Sequence, residues 1–150
     1  MGDVKSSVEV SQRIEFTCCY VLKEGDVPKL NAHNYKFEAT VVCPENYENS
    51  GRVLSFSEFS KICKDCVPDN CFLYNTESGD AQEQAIAFAY TQYGIEAQPY
   101  SGILSAERIL NEISLILLDV LKVEHPEVFL KETKLRETNN SFVTWKQEVE

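Results

Sequence analysis

The sequence predicts an α+β fold in which two helices pack on one face of an antiparallel, four-stranded sheet. Three observations carry that expectation. Two runs near the start alternate apolar and polar residues, two later segments carry apolar stripes at helical spacing, and a second pair of strand-like runs closes the chain. With 150 residues, the chain is long enough for one domain with a real core and too short for two. One domain is therefore expected over 1–150.

Residues 8–20, VEVSQRIEFTCCY, read as a strand with Ile14 and Phe16 on one face. On such a strand the adjacent Cys18 and Cys19 point to opposite faces. Glu24, Gly25, Asp26 and Pro28 then make a loop. Residues 34–43, NYKFEATVVC, give the clearest strand signal. There Tyr35, Phe37, Ala39 and Val41 face one way and Lys36, Glu38 and Thr40 the other. The two runs read as an antiparallel pair.

After a polar turn at 44–50, GRVLSF (51–56) reads as a short strand and SEFSKICKDC (57–66) as a helix. Phe59, Ile62, Cys63 and Cys66 fall at i, i+3, i+4 and i+7, a buried stripe, and Pro68 ends it. Residues 76–103, punctuated by Gly79, Gly94, Pro99 and Gly102, read as an insertion with a short helix over Ala81 to Tyr90. Ser105 caps a helix running to about Lys122. Ile109, Ile113, Ile116 and Val120 line one side of it, with Leu110, Leu117 and Leu121 widening the face. Two more strands follow near 127–138 and 141–148, joined at the turn dipeptide Asn139-Asn140.

Composition excludes several function classes. The formal charge is −10, from 24 acidic and 14 basic residues, which repels phosphate backbones and anionic lipid; neither nucleic acid nor membrane is an expected partner. The longest apolar stretch, around Ile113 to Leu118, is broken by Ser114 and Asp119 and falls far short of the roughly 20 residues a membrane helix needs. Met1 to Val10 is polar and carries no secretory signal, so the expected location is the cytoplasm. The six cysteines are expected as reduced thiols. Cys63, Cys66 and Cys71 could be read as a metal or redox set, but the first two lie on the apolar helical stripe, which favours core packing.

Several segments, in order, resemble the 6-pyruvoyl-tetrahydropterin synthase / 6-carboxytetrahydropterin synthase family. IEFTCCY (14–20) resembles its first strand motif, an aromatic and small residues followed by histidine. LNAHNYKFEATV (30–41) resembles Leu-His-Gly-His-Asn-Tyr and its alternating continuation. GRVLSFSEFSK (51–61), CFLYN (71–75), LSAERIL (104–110) and LRETNNSFVTW (135–145) match later family motifs. The resemblance implies the tunnelling fold, assembled as an oligomeric barrel, commonly a homohexamer, with pterin-binding sites at subunit interfaces.

It also implies a site that this chain carries only in part. The family holds zinc with three histidines, which polarises a dihydroneopterin triphosphate substrate. The matching positions here are Tyr20, Asn31 and His33. His33 is the one candidate ligand left, and zinc is expected to be absent, since an imidazole beside a phenol and an amide makes a poor zinc site. The family's base matches Val27, leaving the neighbouring Asp26 and Glu24 as possible stand-ins. Its Asp-His relay matches Asn70, which cannot ionise, and Cys71, a nucleophile only if its pKa were depressed.

The binding residues are better kept. Glu137 and Thr138 match the family's Glu-Thr anchor, where a carboxylate accepts two parallel hydrogen bonds from the amino and ring N–H groups of a pterin. Glu107 matches a second glutamate, contributed across the subunit interface; it also reads as an acid stabilised at a helix start. The leading expectation is a catalytically impaired protein that binds a pterin or similar fused heterocycle. One alternative is an active synthase with a rebuilt site of Cys19, His33 and Asp26. The other is a non-enzymatic oligomerisation module or partner subunit.

Overall fold

The alternation read near the start does form the centre of the molecule. In the computed structural model, which describes residues 7–24, 27–43, 54–77 and 81–148, strand β1 (Glu9–Glu24) and strand β2 (Val27–Val42) pair antiparallel along their whole length. Ile14, Phe16, Cys18 and Tyr20 from β1 and Tyr35, Phe37, Ala39 and Val41 from β2 are all buried on one face. The hairpin is longer than the sequence suggested. Residues 27–33 lack alternation because the hairpin tip reaches beyond the core, leaving Val27 and Leu30 exposed. Period-two patterning needs one covered face. Asp26 and the turn at 44–50 lie outside the described residues.

The other elements are α1 (Phe56–Cys66), β3 (Cys71–Asn75), α2 (Ala81–Gln92), β4 (Glu96–Tyr100), α3 (Ala106–Glu124), β5 (Phe129–Arg136) and β6 (Phe142–Lys146). The strands form one open sheet in the order β4-β3-β1-β2-β5-β6. The antiparallel strands expected from sequence are its β1, β2, β5 and β6. Two corrections follow. Among the described residues the sheet has six strands rather than four, and it is mixed, because β3 runs parallel to β1 and β4 parallel to β3. Neither added strand shows through in sequence, since CFLYN is an unbroken apolar run from Cys71 to Leu73 without alternation and EAQPY carries a proline. Gly51 to Val53 lie outside the described residues, and the remainder of the short strand expected there is no strand: Ser55 caps α1, its hydroxyl accepting from the Glu58 N–H at 3.2 Å, and Phe56 is already helical.

Two helices cover the main core, as patterned. Phe59, Ile62, Cys63 and Cys66 of α1 are buried, as are Ile109, Leu110, Ile113, Leu117 and Leu121 of α3. Ile116, expected on the buried side of α3, is 46% exposed instead, because Ser114 turns inward in its place. The Ser114 hydroxyl donates to the Leu110 carbonyl at 2.7 Å and lies 2.6 Å from the Thr133 hydroxyl of β5, a fully paired polar contact that pins helix to sheet. The Ser105 cap is present, its hydroxyl accepting from the Arg108 N–H at 3.1 Å.

The third helix departs from the single-face expectation. Cys71 and Leu73 belong to the main core, while Phe72 between them stacks on Tyr90 of α2 at 5.2 Å. Successive strand residues point to opposite faces, so α2 covers the other face of the sheet, over β3. The β3–α2–β4 unit is a parallel crossover, which needs a connection of about this length. No described helix is long and apolar enough to cross a membrane.

Candidate functional site

The β1–β2 register brings the expected metal positions together. Tyr20 pairs with Asn31 and Cys18 with His33, so all four side chains leave the sheet on the same face. Tyr20 is buried, and burial above all raises its pKa, with the Asn31 amide opposing and the Glu137 charge adding to the rise. Tyr35 is fully buried and shifted upward, by burial first and then by Tyr20. Its hydroxyl has no partner of good hydrogen-bond geometry among the described residues.

His33 is engaged elsewhere. Its Nε2 lies 2.8 Å from Oε1 of Glu137, and both side chains are about one-third exposed, at 32% and 31%. The ring also meets Tyr35 edge-on at 5.7 Å. The expected candidate ligand of a metal is thus the partner of the expected ligand anchor. A neutral phenol and a neutral amide leave His33 as the one zinc-type donor among the three positions, too few for a zinc site.

Glu137 follows the last residue of β5, where the chain enters the turn to β6. Its N–H donates to the Ser141 carbonyl at 3.0 Å. Its neighbour Thr138 is exposed and holds that turn: the hydroxyl accepts from the N–H groups of Asn140 and Ser141 at 3.3 and 3.1 Å. Thr138 does not line the cavity beside Glu137. Glu107 does. A cavity of about 350 Å³ is lined by Ala106, Glu107, Leu135, Glu137, Asn140, Ser141, Phe142 and Val143. Expected from opposite sides of a subunit interface, Glu107 and Glu137 meet in one chain, because α3 starts beside the β5–β6 turn. The apolar walls Leu135 and Phe142 were not singled out from sequence. The β5–β6 register pairs Leu135 with Val143 on one face and Phe142 with Arg136 on the other, so alternation alone does not bring the two walls together.

The relay positions lie in a second, more apolar cavity of about 410 Å³, lined by Thr17, Cys18, Cys19, Ala32, Asn70, Cys71, Phe72, Tyr90 and Ile95. The two cavities share no lining residue, so Cys71 and Glu137 are not joined within one chain. Asn70 takes a left-handed backbone conformation, φ 57°, and its N–H donates to the Thr17 carbonyl at 2.6 Å. Asparagine tolerates that conformation better than most residues, which gives Asn70 a turn-making role. The Cys71 thiol is buried and donates to the Asp69 carbonyl at 3.2 Å. Burial, then the Glu96 carboxylate, pushes it up to about 11, the reverse of an activated nucleophile. Cys19 is also raised by burial, with a hydrogen bond from Tyr90 opposing. Asp26 lies outside the described residues.

No protein-family model matches the chain, and no curated protein matches it. Solved structures do. An uncharacterized protein from Wolinella succinogenes matches with a TM-score of 0.66 at 12% identity, over 95% of this chain and 99% of that one. The 6-pyruvoyl tetrahydropterin synthase of Caenorhabditis elegans gives 0.61 at 13%, over 95% and 97%. That of Plasmodium vivax gives 0.59 at 16%, over 96% and 99%. The fold is that of the 6-pyruvoyl tetrahydropterin synthases. At such identity the likeness speaks for the backbone alone. Within the synthase fold, the side chains described above are this chain's own.

Proposed function

We propose that the chain binds a pterin or a similar fused heterocycle in the cavity of Glu107 and Glu137, and that it has lost the synthase chemistry of proteins with this fold. One observation carries the reading: the Glu137 carboxylate stands at the wall of a cavity of about 350 Å³ with His33 holding one of its oxygens at 2.8 Å. A fixed carboxylate matches the paired N–H edge of a pterin or guanine. The cavity is at the small end of the range for ligand sites, suited to a bicycle more than to an extended molecule. Leu135 and Phe142 offer apolar contact to the ring faces.

Loss of chemistry rests on the replaced donors. Tyr20 and Asn31 stand where the resemblance implies zinc ligands, and Asn70 and Cys71 where it implies an acid–base relay. Neither pair can take over by a small movement, since Tyr20 is a buried phenol kept neutral and Cys71 a thiol kept protonated.

The ligand site is completed in a cytoplasmic homo-oligomer, a ring and most simply a hexamer. The open sheet ends in β4 and β6, whose outer backbone edges pair with no strand among the described residues. Such edges are satisfied when subunits close a ring. Calorimetric titration with biopterin, neopterin and guanine, run beside light scattering, tests both parts. Saturable binding to a ring-sized species is expected. A monodisperse monomer at micromolar concentration would remove the ring, and no heat from any of the three ligands would remove the binding role.

A further inference from the structure

A separate group of metal-ligating side chains gathers where the first turn of α1 meets the end of α3. Glu58 lies in that first turn, Glu124 is the last residue of α3, and His125 is its C-cap, with its N–H donating to the Leu121 carbonyl. Oε1 of Glu58 is 3.0 Å from Nε2 of His125, and Oε1 of Glu127 is 3.6 Å from the other ring nitrogen, Nδ1. One donor atom from each of Glu58, Glu124 and His125 lies within 4.8 Å of the others. None of these residues belongs to the cavity of Glu137 or to the positions of Tyr20, Asn31 and His33.

We propose that Glu58, Glu124 and His125 bind a divalent transition-metal ion, with Glu127 orienting the imidazole from behind. Three carboxylates surround one imidazole, and no described lysine or arginine forms an ion pair with any of them. The carbonyl end of the 19-residue α3 adds partial negative charge at the same point. The electrostatics therefore call for a cation. Its class follows from the donors, since an imidazole nitrogen selects a first-row transition ion over magnesium or calcium.

The geometry is suited to closing on such an ion. The His125 side chain is only 13% exposed and so is fixed, whereas Glu58 is 51% exposed and can adjust. Tetrahedral donors about 2.0–2.2 Å from a metal stand roughly 3.3–3.6 Å apart; Glu58 and His125, at 3.0 Å, need only part slightly, and Glu124, within 4.8 Å of both, is in reach of the same ion. With its proton on Nδ1 facing Glu127, the ring presents the Nε2 lone pair to the ion, a carboxylate–histidine–metal arrangement. The ion would join the start of α1 to the end of α3.

Cobalt(II) is the probe of choice, because its visible spectrum separates this site from the six thiols. Titration of the full chain should show one saturable site without a thiolate charge-transfer band, and the melting temperature should rise with cobalt. Glu58→Gln and His125→Ala should each weaken binding at least about tenfold, and Glu127→Gln by about tenfold. His33→Gln should leave it unchanged. Glu58 is a surface residue, so Glu58→Gln remains informative even if His125→Ala folds poorly. No saturable binding, a thiolate band, or unaltered affinity in Glu58→Gln would each overturn the assignment.

Discussion

The two cavities make opposite use of similar space. One holds about 350 Å³ and the other about 410 Å³, yet the first carries two carboxylates and the second three thiols and an aromatic pair. In the first, Glu137 keeps a share of solvent and a partner in His33, and its carboxylate can meet a donor edge. In the second, burial raises every thiol, and Asn70 is occupied with a turn. A carboxylate stands at a strand end in the first cavity, whereas the second buries thiols and an amide.

That contrast breaks most readily at Glu137. Glu137→Gln turns an acceptor oxygen into a donor facing ligand N–H groups, and should cost about 2–4 kcal/mol in binding a pterin or guanine, read by calorimetry. Folding should change little, because the residue lies beyond the end of β5. His33→Gln should have a smaller effect, about 1 kcal/mol weaker binding, since it loosens the carboxylate without removing it. A gain in affinity instead would mean that His33 competes with the ligand. Glu107→Gln should cost least, under about 1 kcal/mol, as an acid near a helix start acts mainly through its charge.

The buried thiols of the cavity and of α1 yield a pH dependence of defined sign. Burial pushes Cys18 and Cys63 up to about 12, and Cys66 and Cys71 up to about 11, from an ordinary 9.0. Below pH 9.0 both folded and unfolded chains keep these protons, so their contribution to stability is intact. Between there and about 11 the unfolded chain gives up its protons first, and stability falls as pH rises. Melting followed across that window should show the fall, lessened in Cys18→Ala. A flat profile would mean that the thiols are wetter than their burial implies.

Much of this arrangement was legible in sequence wherever one face of an element is covered. Tyr35 to Val41 and the α1 stripe from Phe59 to Cys66 follow their periods closely because water lies on one side and the core on the other. The tip of the hairpin, residues 27–33, was not legible because none of its residues is fully buried: 27–30 and Ala32 are exposed, Asn31 and His33 half-buried. β3 was hidden for the opposite reason: Cys71, Phe72 and Leu73 are all buried, by the main core on one face and α2 on the other, so nothing alternates. Within the site, Glu107, Glu137 and His33 were named through the resemblance to the synthase motifs. Their relationship was not legible, since the His33–Glu137 contact depends on where β2 lies against β5, and the meeting of Glu107 with Glu137 on where α3 begins. Thr138, named beside Glu137 as an anchor, has its hydroxyl accepting from the Asn140 and Ser141 N–H groups of the turn, contacts that follow from the turn's backbone and not from residue type.

The separation of binding from chemistry is tested most directly by incubating the chain with a stoichiometric amount of dihydroneopterin triphosphate, with and without added zinc, and analysing the pterins chromatographically. The expected result is a pterin that co-elutes with the protein and is recovered unchanged under both conditions. Conversion to a pyruvoyl or carboxy pterin, above all if zinc promotes it, would contradict the loss of synthase chemistry.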